Sequence, residues 1–123
     1  MSRGEDYIEY EYITDSDTII GVIIKDTIEI GEVAVLDQYL ARIMDKHCGF
    51  SNLVLDVRNL KELTCPLVGI FMMVMKRKSI HNGCIALVMD DDFLKKHMFR
   101  YPDLFDYYTI FRTIEEAIRF IAR

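Results

Sequence analysis

The chain lacks any run long and apolar enough to cross a bilayer. Its longest apolar stretch, Leu67 to Met75, is nine residues with Gly69 counted in, against about 20 for a membrane-spanning helix. A basic surplus is missing too. Twenty acids against fifteen Lys and Arg leave a net charge of −5, which argues against a nucleic-acid binder with its basic stripe for phosphates. Cysteine is sparse: Cys48, Cys65 and Cys84 are odd in number and form no C-x-x-C pair. A disulfide framework is therefore not expected, and a reducing cytoplasm is. The histidines His47, His81 and His97 show no HxxxH or HExxH spacing, and no cysteine–histidine cluster has zinc geometry. There is no GxxxxGK[ST] or GxGxxG loop, no internal repeat and no low-complexity tract. The opening Met-Ser-Arg-Gly-Glu-Asp passes directly into strand-like alternation, so no secretory signal is expected. What is there is ordinary: 123 residues, 51% hydrophobic and 28% charged. That suits a cytosolic globular domain burying roughly two thirds of its unfolded surface without metal or disulfide.

Within the acidic first seventeen residues, Ile8, Tyr10 and Tyr12 alternate with Glu9 and Glu11, the period of a half-exposed strand. Asp15-Ser16-Asp17 is a turn cluster, and Ile19 to Ile24 is almost continuously apolar. Together they predict a hairpin with a charged edge strand and a deeper second strand. The chain divides on this reading into an acidic segment with its edge strand, 1–16, and a domain over 17–123. From Gly31 to His47 the spacing turns helical on Val33, Leu36, Leu40, Ile43 and His47, with Gly49 as the stop. Asn52 to Val57 is a β-rich run. A second helix carries Pro66 in its first turn, a buried face of Leu67, Ile70, Phe71, Val74 and Met75, a basic end at Lys76-Arg77-Lys78, and a stop at Asn82-Gly83. Of the methionines Met72 and Met73, one is expected to be partly exposed. Cys84 to Met89 reads as a strand, Phe93 to Phe99 as a short helix ended by Pro102, and Tyr107 to Ile110 as a last strand holding a half-buried Tyr107-Tyr108 pair. Thr113 and Glu116 form a capping box for a C-terminal helix on Ile114, Ala117, Ile118 and Ile121. The order ββαβαβαβα implies an α/β domain with a largely parallel sheet flanked by helices.

The run Leu53-Val54-Leu55-Asp56-Val57-Arg58-Asn59-Leu60-Lys61-Glu62-Leu63, a buried strand ending in an acid and then a loop, resembles the STAS domain. That α/β fold is shared by bacterial anti-sigma factor antagonists and the cytoplasmic tails of sulfate transporters, and the resemblance implies a mixed, mostly parallel sheet with helices mainly on one face. The Gly83 turn before Ile85–Met89 and the closing Thr113–Ile118 segment are similar to the family as well. The resemblance places the family's Asp-Ser-Ser-Gly-Leu-Gly motif on Thr64-Cys65-Pro66-Leu67-Val68-Gly69, where only Gly69 is retained. It implies a regulatory module whose partner is an anti-sigma factor kinase or a related regulatory ATPase, contacted through Lys61, Glu62, Thr64, Cys65, Pro66, Val68 and Gly69. A homodimer is left open, and no cofactor, metal or catalysis is expected. In phospho-regulated members the serine after the motif aspartate carries the phosphate. Cys65 stands there, and a thiol is not a substrate for ordinary serine kinases.

Alternatives stand beside this reading. One is a small-molecule or lipid sensor with an apolar pocket beside the same helix. The other is a cysteine-dependent enzyme centred on Cys65, since a helix N-terminus lowers a thiol pKa; it lacks a neighbouring base in sequence. Thr64 is the one nearby hydroxyl that could take a phosphate in place of the serine; if it serves only as a helix cap, its loss costs about 1 kcal/mol. Asp90-Asp91-Asp92 with Asp56 admits a metal site, or else one aspartate caps the helix after it and the others favour its positive end. Lys76-Arg77-Lys78 complements a helix C-terminus and stays solvated, with a membrane or partner contact as the other option.

Overall fold

The computed structural model describes residues 3–78 and 83–122. The expected stop at Asn82, His81 and the side chain of Lys78 lie outside the described residues. Five strands form one sheet in the order β1-β2-β3-β4-β5: β1 is Ile8–Ile13, β2 Thr18–Ile23, β3 Asn52–Asp56, β4 Ile85–Val88 and β5 Thr109–Phe111. The hairpin β1–β2 is antiparallel, with Ile8 opposite Ile23 and Ile13 opposite Thr18. All other pairings are parallel. The hairpin turns through Asp17, whose φ of 49° lies in the left-handed region that aspartate tolerates better than most residues. Its carboxylate accepts the Tyr12 hydroxyl at 2.6 Å.

Alternation along each strand sorts side chains between two unequal layers. Ile19 and Ile23, Leu53 and Leu55, and Leu87 point to the thicker core. There they meet α1 (Val33–Lys46), α2 (Cys65–Lys78), α3 (Asp91–His97) and α4 (Pro102–Tyr107). Ile20, Val54, Ala86 and Val88 point the other way, where α5 (Ile114–Ile121) is the one helix among the described residues that covers them, through Ala117, Ile114 and Ile121. Helices thus lie mainly on one face. The buried stripe of α2 is Leu67, Ile70, Phe71 and Val74, and Met73 is the methionine turned outward, 45% exposed. Gly83 sits at φ +132°, and a Cβ there would lie 1.8 Å from the Ser51 carbonyl oxygen. Only glycine lets β4 begin this close to β3.

One segment differs from expectation. Pro102 does not merely end a helix; it opens α4, with Pro in the first turn, where its fixed φ suits a helix and its missing N–H costs nothing. Tyr107 is consequently the last residue of α4, 59% exposed, and β5 starts only at Thr109. The two tyrosines are not a strand pair. Tyr108 is 3% exposed and donates its hydroxyl to the Phe71 carbonyl at 2.6 Å; burial holds its phenol far above the usual range.

Candidate partner-binding surface

Parallel strands deliver their C-terminal ends to one edge of the sheet, and loops there are free to carry function. At the end of β3, Asp56 is 4% exposed, and a carboxylate so placed needs partners. It accepts the Arg58 backbone N–H at 3.0 Å and the guanidinium at 2.7–3.1 Å. This local turn launches the segment 57–64. Three long-range bonds then hold it: Asn59 donates to the Ile23 carbonyl at 3.0 Å, the Lys61 N–H to the Asp26 carbonyl at 2.9 Å, and the Leu63 N–H to His97 Nε2 at 3.1 Å. Leu60 and Leu63 are buried beneath it, while Lys61 and Glu62 face solvent.

Thr64 occupies the N-cap position of α2, its carbonyl accepting the Val68 N–H at 2.9 Å. Its hydroxyl, however, makes no hydrogen bond among the described residues, so the expected side-chain cap is not formed. Cys65, Pro66 and Gly69 are exposed, and Thr64 and Val68 half-buried. The Cys65 thiol lies 3.6 Å from the Tyr101 hydroxyl. That contact, ahead of desolvation, raises the Tyr101 phenol above its ordinary range. The structure therefore gathers Lys61, Glu62, Thr64, Cys65, Pro66 and Gly69 into one continuous surface. Beside it an open groove of about 540 Å³ runs between α1 and α2, lined by Ile30, Val33, Ala34, Pro66, Ile70 and Met73 among others.

The other candidates fall apart spatially or find structural roles. Asp90 Oδ1 accepts the Phe93 N–H at 2.8 Å and caps α3, Asp91 pairs with Arg112, and Asp56 is occupied by Arg58. Among the described residues no three His, Cys, Asp or Glu side chains converge as a metal site would require. Arg77 pairs with Asp37 across α1 and α2 at 3.3 Å rather than standing in solvent. His47 stacks on Tyr12 at 4.3 Å beside the hairpin. Two residues that matter at this surface, His97 and Tyr101, went unread in the sequence. Their signal was the i, i+4 spacing Phe93, His97, Tyr101 on the inner side of a short helix and the turn after it.

No protein-family model matches the chain, and no curated protein sequence does. Solved structures do. TM1081 of Thermotoga maritima, a candidate anti-sigma factor antagonist, superposes with a TM-score of 0.77 at 18% identity, covering 98% of each chain. An anti-sigma factor antagonist from Mycobacterium paratuberculosis gives 0.74 at 12% identity over 99% of this chain and 100% of that one. The Bacillus anti-sigma factor antagonist SpoIIAA, unphosphorylated, gives 0.70 at 18% identity over 94% and 96%. A structure of SpoIIAA in its phosphorylated form matches as well. The chain has the STAS fold of these proteins.

Proposed function

We propose that this STAS-fold domain is a non-catalytic cytoplasmic regulator that docks an anti-sigma factor kinase or a related regulatory ATPase through the 61–66 loop and the exposed side of α2. The observation that carries this reading is the exposure of Lys61, Glu62, Cys65, Pro66 and Gly69 at the entry and first turns of α2, in a fold shared with solved anti-sigma factor antagonists. Catalysis at Cys65 is disfavoured by its surroundings. Its partner is a phenol, and both ring nitrogens of His97 are engaged elsewhere, so among the described residues the thiol meets no base of the kind nucleophilic catalysis uses. Phosphorylation acts by adding about −1.5 to −2 charges, and Cys65 offers no hydroxyl to receive them. Binding should therefore be indifferent to kinase and phosphatase treatment.

The test is calorimetric titration of the domain against each anti-sigma-type ATPase of its host, purified individually. Gly69→Arg is the informative variant, because an added Cβ at Gly69 meets nothing within 4 Å and the fold is left intact. We expect at least one ATPase to bind, with a loss of roughly tenfold or more in Gly69→Arg, the scale of one displaced contact of about 1.4 kcal/mol. No binding by any of them, or unchanged binding by the variant, rejects the reading. Stoichiometric phosphate on Thr64 in native protein rejects the unswitched part of it. The groove beside α2 favours a second reading, a sensor of a small apolar ligand, since its volume falls within the range of ligand pockets. Native mass spectrometry of the purified protein tests that directly through a retained adduct.

A further inference from the structure

His97 is 2% exposed, and the partners of its two nitrogens differ in kind. Nδ1 lies 3.0 Å from the Phe93 carbonyl oxygen, which can only accept. Nε2 lies 3.1 Å from the Leu63 N–H, which can only donate. The partners therefore dictate one state: neutral, with the proton on Nδ1 and the lone pair of Nε2 on Leu63. The ring packs on Phe93 at 4.4 Å and stacks with Tyr101 at 6.5 Å, and Tyr101 in turn meets Cys65. One imidazole thus ties together the loop that enters α2, the body of α3, and, through Tyr101, the first residue of α2.

We infer that His97 is the positioning residue of this surface, an acid-releasable latch that holds the 61–64 loop against α3 only while its imidazole is neutral. A proton on Nε2 would set N–H against N–H at Leu63, removing the bond and leaving a cation in a buried site. Charged and titratable groups on the segments it joins include Lys61 and Glu62 on the loop, Cys65 on α2, and Lys96, Arg100 and Tyr101 on α3 and its following turn. Lys96 reaches toward the Lys61 carbonyl at 3.5 Å, and Arg100 lies over the Tyr101 ring at 5.5 Å. Neither ring nitrogen has a carboxylate partner to hold an imidazolium. The latch deepens the proposed docking role and rests on it only for what the loop serves.

The experiment needs the isolated protein, with ¹⁵N-histidine spectra and amide exchange followed from about pH 8 to about pH 5, the interval over which imidazoles titrate. Near the upper limit Nδ1 should be protonated and Nε2 not. On acidification the protection factor of the Leu63 amide, corrected for intrinsic exchange, should fall roughly tenfold, the scale of one lost hydrogen bond, while Leu55 and Leu87 keep theirs. His97→Gln retains an acceptor that does not titrate, so its Leu63 protection should be independent of pH. The opposite tautomer, a pH-independent Leu63 in the wild type, or an equal fall in His97→Gln overturns the latch. The wild-type measurements decide even if the variant folds poorly. If they agree with the latch while ATPase affinity ignores both pH and His97→Gln, the latch stands and the docking role is what fails.

Discussion

The two helices that leave the central strands at the same edge begin in opposite ways. Between β4 and α3 only Met89 and Asp90 intervene, and Asp90 closes the helix start with its own carboxylate. Between β3 and α2 lie the residues 57–64, and the hydroxyl of the threonine at the N-cap makes no hydrogen bond among the described residues. The start of α2 is held from outside, by Ile23, Asp26 and His97. A locally capped helix needs nothing from the rest of the fold to begin where it does. One held by distant residues begins there only when those residues are in place, and its exposed first turn is left for other uses. Both first turns are exposed, but distant residues set the start of α2 while a local cap sets that of α3.

Substitutions at five positions sharpen or break this contrast. Phe71, fully buried in the body of α2, should cost about 3–5 kcal/mol as Phe71→Ala in urea denaturation. A loss under about 1 kcal/mol would mean that α2 is not anchored by its inner face. Tyr108→Phe removes the buried hydroxyl that reaches the Phe71 carbonyl, with an expected loss of about 1–1.5 kcal/mol. Asp90→Ala should cost about 1 kcal/mol, with faster amide exchange confined to the first turn of α3. Thr64→Ala should fall within about 0.5 kcal/mol of the wild type, since no side-chain cap is lost. Thr113, whose hydroxyl does accept the Glu116 N–H at 3.1 Å, should behave like Asp90 in the same assay. Equal losses at Thr64 and Thr113 would erase the distinction between the two kinds of helix start.

Much of the architecture could be read from spacing. The alternation of Ile8, Tyr10 and Tyr12, the helical stripe from Leu67 to Val74 and the Thr113 cap depend on neighbours within four residues, and each appears where its period places it. Pro102 misled because its chemistry is two-sided: the ring that forbids a helix interior also suits a helix start. Which applies depends on whether the residues after it have something to pack on, and Leu104 does, buried in the main core. The proposed contact surface was partly legible, because the resemblance placed Cys65, Pro66 and Gly69 at a helix start. Its supports were not. Leu63 and His97 are 34 residues apart, and so is the bond between them.

By itself, then, the sequence determined the strands and most of the helices, because apolar periodicity and caps act over a few residues. It also determined that a thiol, not a hydroxyl, stands first in α2. Only the tertiary structure decided that Thr64 is an idle cap, that Tyr108 turns inward to α2, and that a neutral histidine holds the entry to that helix. Those outcomes depend on which donor meets which acceptor across separate elements, and chain spacing carries no record of that pairing.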